Sequence, residues 1–105
     1  MATRVQTGNF IELTVIAADV EPSDIFTNDQ EHKIKRIEFV AGANNDILVV
    51  KQGSATGATI VTLATPDVEI VDRVFFDDGG QWMLPYIDFS DCTLTADHKV
   101  VIELA

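Results

Sequence analysis

The residues that decide the fold are 33–51, which read KIKRIEFVA (33–41), GANND (42–46) and ILVVK (47–51). β-Branched and aromatic residues are frequent in the two outer pieces, and the middle piece is a cluster of turn-forming residues. Two runs of this kind that flank a short polar turn predict two β-strands. Because the turn is short, we expect the two strands to pair as a hairpin.

Further runs of the same kind lie on both sides of this segment. They cover residues 10–17, 58–63, 72–76, 81–89 and 99–104. Pro85 interrupts the run 81–89, which predicts an edge strand or a bulge at that point, because proline cannot donate to a ladder. Residues 19–31 are polar and acidic, and they predict a loop with one helical turn that begins at Ser23 or Asp24.

Short strands at this spacing predict an all-β chain. With 105 residues, we expect a single-domain antiparallel β-sandwich of about seven or eight strands, similar to a jelly roll, over residues 10–105. Residues 1–9 show no strand pattern and predict a flexible N-terminal arm. Residues 47–50 are apolar on both faces of their strand, which indicates that another layer or another subunit covers the outer side.

The chain is strongly acidic, with seventeen acidic residues, seven basic residues and a formal net charge of −10. Such a protein repels the phosphates of nucleic acids and anionic lipids, so we expect no nucleic acid and no membrane as partner. The bases gather only at Lys33, Lys35 and Arg36, and strand alternation would divide these three between two faces. No apolar run is long enough to span a bilayer, and the first nine residues lack a hydrophobic signal region.

The side chains that usually carry catalysis are sparse. His32 and His98 both flank turns, where a solvated surface histidine is the ordinary outcome. The sequence contains no Gly-x-Ser-x-Gly elbow, phosphate loop, dinucleotide-binding glycine pattern or His-Glu-x-x-His helix. Cys92, the one cysteine, is expected to be a small half-buried core residue, which agrees with synthesis in a reducing cytoplasm. We therefore expect no enzymatic activity and no cofactor.

The acidic loops contain side chains of the kind that bind calcium. Residues 77–80, Asp-Asp-Gly-Gly, place two carboxylates on a turn, and three further aspartates follow at Asp88, Asp91 and Asp97. Calcium takes oxygen ligands from loops of this kind. The spaced aspartate ladder of a helix–loop–helix site is missing, however, and Asp and Gly are common turn residues. No metal site is predicted.

Trp82 and Tyr86 lie four residues apart on one predicted strand and would share a face unless Pro85 introduces a bulge. Two aromatic rings beside carboxylates can hold a sugar ring, which leaves a carbohydrate-binding module as an alternative function. The favoured interpretation is that Trp82 fills the core or a subunit interface, where large aromatic side chains supply much of the buried area.

Residues 34–64 contain a basic–aromatic strand, a short polar turn, the strand LVVKQG (48–53) and a further glycine loop. This order resembles a hairpin of small β-sandwich or jelly-roll bacteriophage virion proteins. The segments 82–89, CTLT (92–95) and VVIEL (100–104) are similar to the closing strands of the same group. The resemblance implies a capsid decoration, cement or head-fibre protein on the exterior of a virion, made in the host cytoplasm. A phage tail or neck component is the nearest variant.

Together these observations lead to one expected function. We expect a non-enzymatic virion protein that binds the major capsid protein through its N-terminal arm and an apolar sheet face. The partner-binding residues expected from this interpretation are Arg4, Val5, Trp82 and Tyr86. The strands that are apolar on both faces favour a homo-oligomer, and the resemblance implies a trimer.

Overall fold

The computed structural model describes residues 2–26, 28, 30–65, 70–76 and 79–105. Within these ranges the chain forms nine β-strands, one short α-helix and one 3₁₀ helix. The elements are β1 (Thr3–Thr7), β2 (Phe10–Thr14), α1 (Pro22–Phe26), β3 (His32–Val40), β4 (Ile47–Gln52), β5 (Thr59–Ala64), β6 (Val71–Phe75), β7 (Gln81–Met83), β8 (Pro85–Ile87), the 3₁₀ helix (Phe89–Asp91) and β9 (Lys99–Leu104). The helical turn predicted within residues 19–31 is α1.

The strands form two antiparallel sheets that share one core. Sheet A has the order β1-β2-β9-β3, and β6 and β7 follow one another along the remaining edge of β3. Sheet B has the order β5-β4-β8. The predicted all-β antiparallel sandwich is confirmed. The structure has more strands than predicted in its described part because residues 3–7 add a strand and the run 81–89 divides into two.

Strand alternation places the core between the sheets. In β2, for example, Ile11 and Leu13 are buried, whereas Phe10 is exposed. The buried side chains of both sheets and of α1 form one hydrophobic cluster. Its least accessible large members are Phe39, Ile11, Leu13, Ile25, Ile34, Ile37, Leu48, Met83, Ile87, Ile102, Val20 and Val50. Burial of this apolar surface is the main force that holds the sheets together.

The N-terminal segment is a strand, which corrects the predicted flexible arm. β1 pairs with β2 along its whole length, from Thr3 opposite Thr14 to Thr7 opposite Phe10. The turn between them contains Gly8 with φ +59°, a left-handed conformation that glycine adopts without strain. The sequence pattern failed here because β1 is an edge strand with mostly exposed side chains, so it carries no apolar alternation.

β3 and β4 do not form the predicted hairpin, because β3 lies in sheet A and β4 lies in sheet B. The chain crosses between the layers at residues 42–46, where the buried Asp46 carboxylate holds the turn. It accepts hydrogen bonds from the Gly42 N–H (3.3 Å), the Thr95 N–H (2.9 Å) and the Thr95 hydroxyl (2.7 Å). Burial alone would raise the pKa of Asp46, but these hydrogen bonds outweigh burial and lower it below its usual value.

The run 81–89 also changes sheet. β7 ends at Met83 in sheet A and β8 begins at Pro85 in sheet B. The first position of a strand is one of the few that tolerate proline. The chain therefore breaks at Pro85, and Trp82 and Tyr86 belong to different sheets.

The two apolar faces of β4 are both accounted for within the chain. Leu48 and Val50 are buried in the core, and Ile47 and Val49 are half-buried on the other side. Ile47 pairs with Thr93, and the Val49 N–H lies 3.3 Å from the Cys92 sulfur. Cys92 is half-buried as predicted, and burial raises the pKa of its thiol. Residues 92–93 of the same chain cover this part of the strand.

Candidate docking face

Sheet A has an outer face, which we define as its side opposite to the core. Large hydrophobic side chains are exposed on this face, although sheet positions that face water are usually polar. Their exposed fractions are 56% for Val5, 45% for Phe10, 63% for Phe75 and 63% for Trp82. The strand register puts Phe10 opposite Glu103 and Phe75 opposite Arg36, so these side chains lie on one continuous surface.

Charged side chains fill the space between these hydrophobic residues. The Arg36 guanidinium contacts Glu38 at 2.7 Å and Glu103 at 3.0 Å, and its central carbon lies 5.9 Å from the centre of the Phe10 ring. Arg73 contacts Glu38 from the neighbouring strand at 3.1 Å. Charge-assisted contacts that link several side chains in this way restrict the arginine rotamers. The charged side chains at the centre of the outer face therefore form one connected network of ion pairs.

A β-bulge in β3 assembles the basic part of this face. The register between β3 and β9 shifts between Ile34 and Arg36, so one additional residue of β3 lies between two pairs. Lys35 and Arg36 consequently point to the same side, and both contact Glu103, at 3.8 Å and 3.0 Å. Lys33 pairs with the exposed Trp82 on that side as well. The predicted division of these bases between two faces is wrong, because alternation does not hold across a bulge.

Two of the four predicted partner-binding residues lie on the outer face. Val5 is in β1 opposite Glu12, and Trp82 is in β7 opposite Lys33. They lie at opposite edges of sheet A, separated across the strands by four strand spacings, or about 19 Å. Trp82 does not fill the core, contrary to one half of the favoured interpretation, because its neighbour Met83 takes the inward position.

The other two predicted residues lie elsewhere and make contacts within the chain. Arg4 points toward the core side of β1, where its guanidinium donates a hydrogen bond to the carbonyl of Ile25 in α1. Tyr86 lies on sheet B, and its hydroxyl donates a hydrogen bond of 2.5 Å to Asp19. This bond, together with the surrounding acidic groups, raises the pKa of Tyr86 to about 12. The structure does not bring Trp82 and Tyr86 together as a sugar-stacking pair.

A second polar cluster surrounds Tyr86 on sheet B. Lys51, which pairs with Tyr86, contacts Asp88 and Asp91 at 2.7 Å each. Hydrogen bonds to these two carboxylates raise the pKa of Lys51, and the same contact, with one from Ser90, lowers the pKa of Asp88. The two charged side chains of this cluster with little exposure, Lys51 and Asp88, contact one another. Buried charges that are paired in this way are typical of a structural ion cluster.

His98 is buried, which corrects the expectation of a solvated surface histidine. Its Nε2 accepts a hydrogen bond from the Ile16 N–H at 3.0 Å, so the proton of the neutral ring is on Nδ1, which donates to the Thr95 carbonyl at 2.8 Å. The ring borders an open cleft of about 570 Å³ next to Val15, whose φ of +54° is unusual for a β-branched residue. Sequence offered no signal for this role, since His98 and Ile16 are far apart in the chain. His32 is half-buried and stacks on the Phe26 ring at 4.1 Å.

No group of three or more metal-ligating side chains is found among the residues that the structure describes. Asp77 and Asp78, weighed above for calcium, lie outside the described residues. In the described part of the chain, no helix is long and apolar enough to cross a membrane.

Comparison with known proteins adds no relative. No protein-family model, no curated protein and no solved structure matches the chain.

Proposed function

We propose that this protein is a non-enzymatic structural protein of a phage particle, which decorates or cements the capsid and docks onto neighbouring virion protein through the outer face of sheet A. One observation carries the proposal: Val5 of β1 and Trp82 of β7 lie on the same face, with the exposed rings of Phe10 and Phe75 between and beside them. The N-terminal segment and the sheet face, which were expected as two binding elements, therefore contribute to the same surface, because β1 is a strand of sheet A.

The composition of this face supports a protein–protein contact. Interfaces are enriched in aromatic residues and arginine, and exposed apolar residues that are grouped together mark binding sites more often than scattered ones. On the outer face, Arg36 is already held by Glu38 and Glu103. A preorganised arginine loses little side-chain entropy when a partner covers it, so more of the contact energy is retained as affinity.

The same geometry gives less support to a carbohydrate-binding module. Such a module needs two rings that face one sugar, whereas Trp82 belongs to sheet A and Tyr86 to sheet B. The Tyr86 hydroxyl is also engaged by Asp19. The Trp82 and Tyr86 rings therefore do not form one sugar-stacking pair, and we keep a single proposal.

The proposal is tested by co-sedimentation of the purified protein with capsids that lack it. We expect saturable binding by the unaltered protein and a loss of about tenfold or more in affinity for Trp82→Ala, because tryptophan is among the side chains that contribute most to interface energies. Val15→Ala is the matched control: Val15 is 68% exposed and apolar, but it borders the His98 cleft rather than the outer face. Equal loss in the control, or no binding by the unaltered protein, would refute the proposal.

Isolated tails and necks from the same particle provide a further comparison. Saturable binding to tails with no binding to capsids would move the protein to the tail and reject the decoration role. A Phe75→Ala variant adds an independent probe, because Phe75 is as exposed as Trp82 but belongs to another strand of the same face.

A further inference from the structure

We infer that the outer face of sheet A docks a second copy of this chain, head to tail, against an acidic patch on sheet B of that copy. This inference rests on the proposed function, since it names the neighbour that this face binds first. Its basis is an uneven distribution of charge over the sandwich.

The basic residues are concentrated on the outer face of sheet A. Among the described residues, five of the seven bases in the chain lie there together with three acids, so the described part of this face carries a net positive charge. These bases are Lys33, Lys35, Arg36, Arg73 and Lys99, and the acids are Glu12, Glu38 and Glu103. The remaining described residues contain nine acids and only two bases, Arg4 and Lys51. The partner of this positively charged face is expected to present a negatively charged surface, because association of like charges is costly.

The protein itself has such a negative surface on the other sheet. The acidic patch borders β8 and consists of Asp19, Glu21 and Asp24, which lie before and within α1, and of Asp91 and the largely buried Asp88, which follow β8. The bridge between Val20 and Ile87 brings the segment before α1 beside β8, and Asp19 accepts hydrogen bonds from the Tyr86 hydroxyl and the Phe89 N–H. Lys51 is the base that contacts this patch, and Asp88 and Asp91 together outnumber it.

The raised pKa of Tyr86 reports the same negative field. After the hydrogen bond to Asp19 and burial, the negative charges of Asp19, Glu21 and Asp88 each contribute to the rise. The three carboxylates of Asp19, Glu21 and Asp88 therefore all act on the Tyr86 hydroxyl. A positively charged surface that approaches the acidic patch would reduce the repulsion between its carboxylates. We therefore expect the acidic patch of one copy to meet the basic outer face of the next.

These two surfaces belong to opposite layers of the sandwich, so one copy can use both at once. A contact between unlike surfaces is heterologous, and it closes into a ring or continues as an open row. The alternative contact, outer face against outer face, would oppose two positively charged surfaces. With molecular extents of 34 × 27 × 27 Å, one face can supply an area near the roughly 800 Å² that each partner contributes to a standard interface.

The first experiment measures self-association of the full chain by sedimentation velocity over a concentration series, in about 0.05 M and about 1 M NaCl. We expect reversible association at low salt that weakens about tenfold or more at high salt, because exposed charges are screened. A monomer at every concentration in both salts would overturn the inference. Association that is unchanged or stronger at high salt would overturn it as well, since apolar contact alone would then explain it.

Variants test whether the charges on the outer face are responsible. Lys35→Ala with Arg73→Ala removes two bases whose side chains are half exposed, 54% and 50%, so the fold should tolerate the change. We expect the self-association Kd to rise about tenfold or more. Asn9→Asp with Asn44→Asp changes the net charge by the same amount in two turns, and its Kd should stay within about twofold of that of the unaltered chain. Equal effects of the two variants would overturn the inference.

A mixing experiment tests the head-to-tail arrangement. Glu21→Gln with Asp91→Asn weakens the acidic patch and leaves the outer face intact. Each double variant alone should self-associate about tenfold or more weakly than the unaltered chain. The mixture of the outer-face and acidic-patch variants should form a one-to-one dimer, because each retains the surface that the other lacks. Normal association of the acidic-patch variant alone would show that like faces meet, and would overturn the inference.

Two further readouts separate this inference from other interpretations. A monomer that still binds capsids rejects the second copy and leaves the proposed function standing, whereas an oligomer without capsid affinity supports the second copy and rejects the proposed function.

Fluorescence anisotropy with a labelled oligothymidylate tests whether the outer face binds single-stranded nucleic acid instead. Aromatic rings among basic side chains also suit that ligand. Binding that the outer-face variant abolishes, by a protein that stays monomeric, would assign the face to nucleic acid and overturn the inference.

Discussion

Asp46→Ala removes the carboxylate that holds the crossing between the two sheets. The substitution leaves three donors without their acceptor in a partly buried site: the Gly42 N–H and the N–H and hydroxyl of Thr95. A hydrogen bond to a charged group contributes about 1.5–3 kcal/mol, and a buried donor left unpaired costs about 1–3 kcal/mol. Because the 3.3 Å bond is weak and the site can relax, we expect a loss of about 3–5 kcal/mol in the free energy of unfolding.

That loss is a large share of the stability of a domain, which is typically about 5–15 kcal/mol. It corresponds to a fall of roughly 15–25 °C in Tm for a chain of this size. The measurement is urea denaturation followed by circular dichroism, with Asp97→Asn as control. Asp97 lies in the same loop region but is exposed, so its change should alter stability by less than about 0.5 kcal/mol. A loss below about 1 kcal/mol for Asp46→Ala would refute the assigned role of the carboxylate.

The pH dependence provides a second test of the same group. The pKa of Asp46 is lower in the folded protein than its usual 3.8, so its contribution to stability is complete above that value and disappears as the pH falls through the folded pKa. The stability difference between the unaltered protein and Asp46→Asn should therefore be constant near neutral pH and shrink below pH 3.8. A difference that grows on acidification would contradict the role.

Three further predictions concern single contacts. Gly42→Ala would place a Cβ 2.0 Å from the carbonyl oxygen of Ala96, so we expect thermal denaturation to show a loss of about 2–4 kcal/mol; an unchanged Tm would show that the backbone there can move. His98→Phe preserves a flat ring but leaves the Ile16 N–H without an acceptor, so urea denaturation should show a loss of about 1–3 kcal/mol, and a neutral result would reject the hydrogen bond. Asp19→Asn should lower the pKa of Tyr86, the one tyrosine, from about 12 toward 10.0 in an ultraviolet absorbance titration, and a pKa that stays near 12 would contradict the Asp19 contact.

Several features of the fold could be predicted from local sequence. Strand runs such as 99–104 and 47–51 carry the period-two and β-branched signals that result from packing against a core, so their existence was predictable. The break at Pro85 follows from the missing N–H of proline. The half-buried state of Cys92 follows from the general preference of free cysteine for the interior.

Other features depend on residues that are distant in sequence. β3 and β4 flank a turn that is compatible with a hairpin. They lie in different sheets because β3 pairs with β9 and β4 pairs with β5, while Asp46 accepts hydrogen bonds from Thr95 at the crossing. His98 was expected on the surface because its bonding partner, the Ile16 N–H, is a backbone group that no side-chain pattern reveals. β1 lacked an apolar pattern because an edge strand needs none when its neighbour β2 supplies the pairing.

The candidate site divides in the same way. Sequence alone determined the acidic net charge and the all-β class, and it identified Val5 and Trp82 as candidate partner-binding residues. These features were accessible because composition and strand periodicity are local properties. Only the tertiary structure decided that these two residues share one face, that Arg4 and Tyr86 make contacts within the chain, and that a bulge after Ile34 puts Lys35 and Arg36 on the same side. The physical reason is register: a shift of one residue in strand pairing reverses which face a side chain occupies, and register is set by the partner strand rather than by the strand itself.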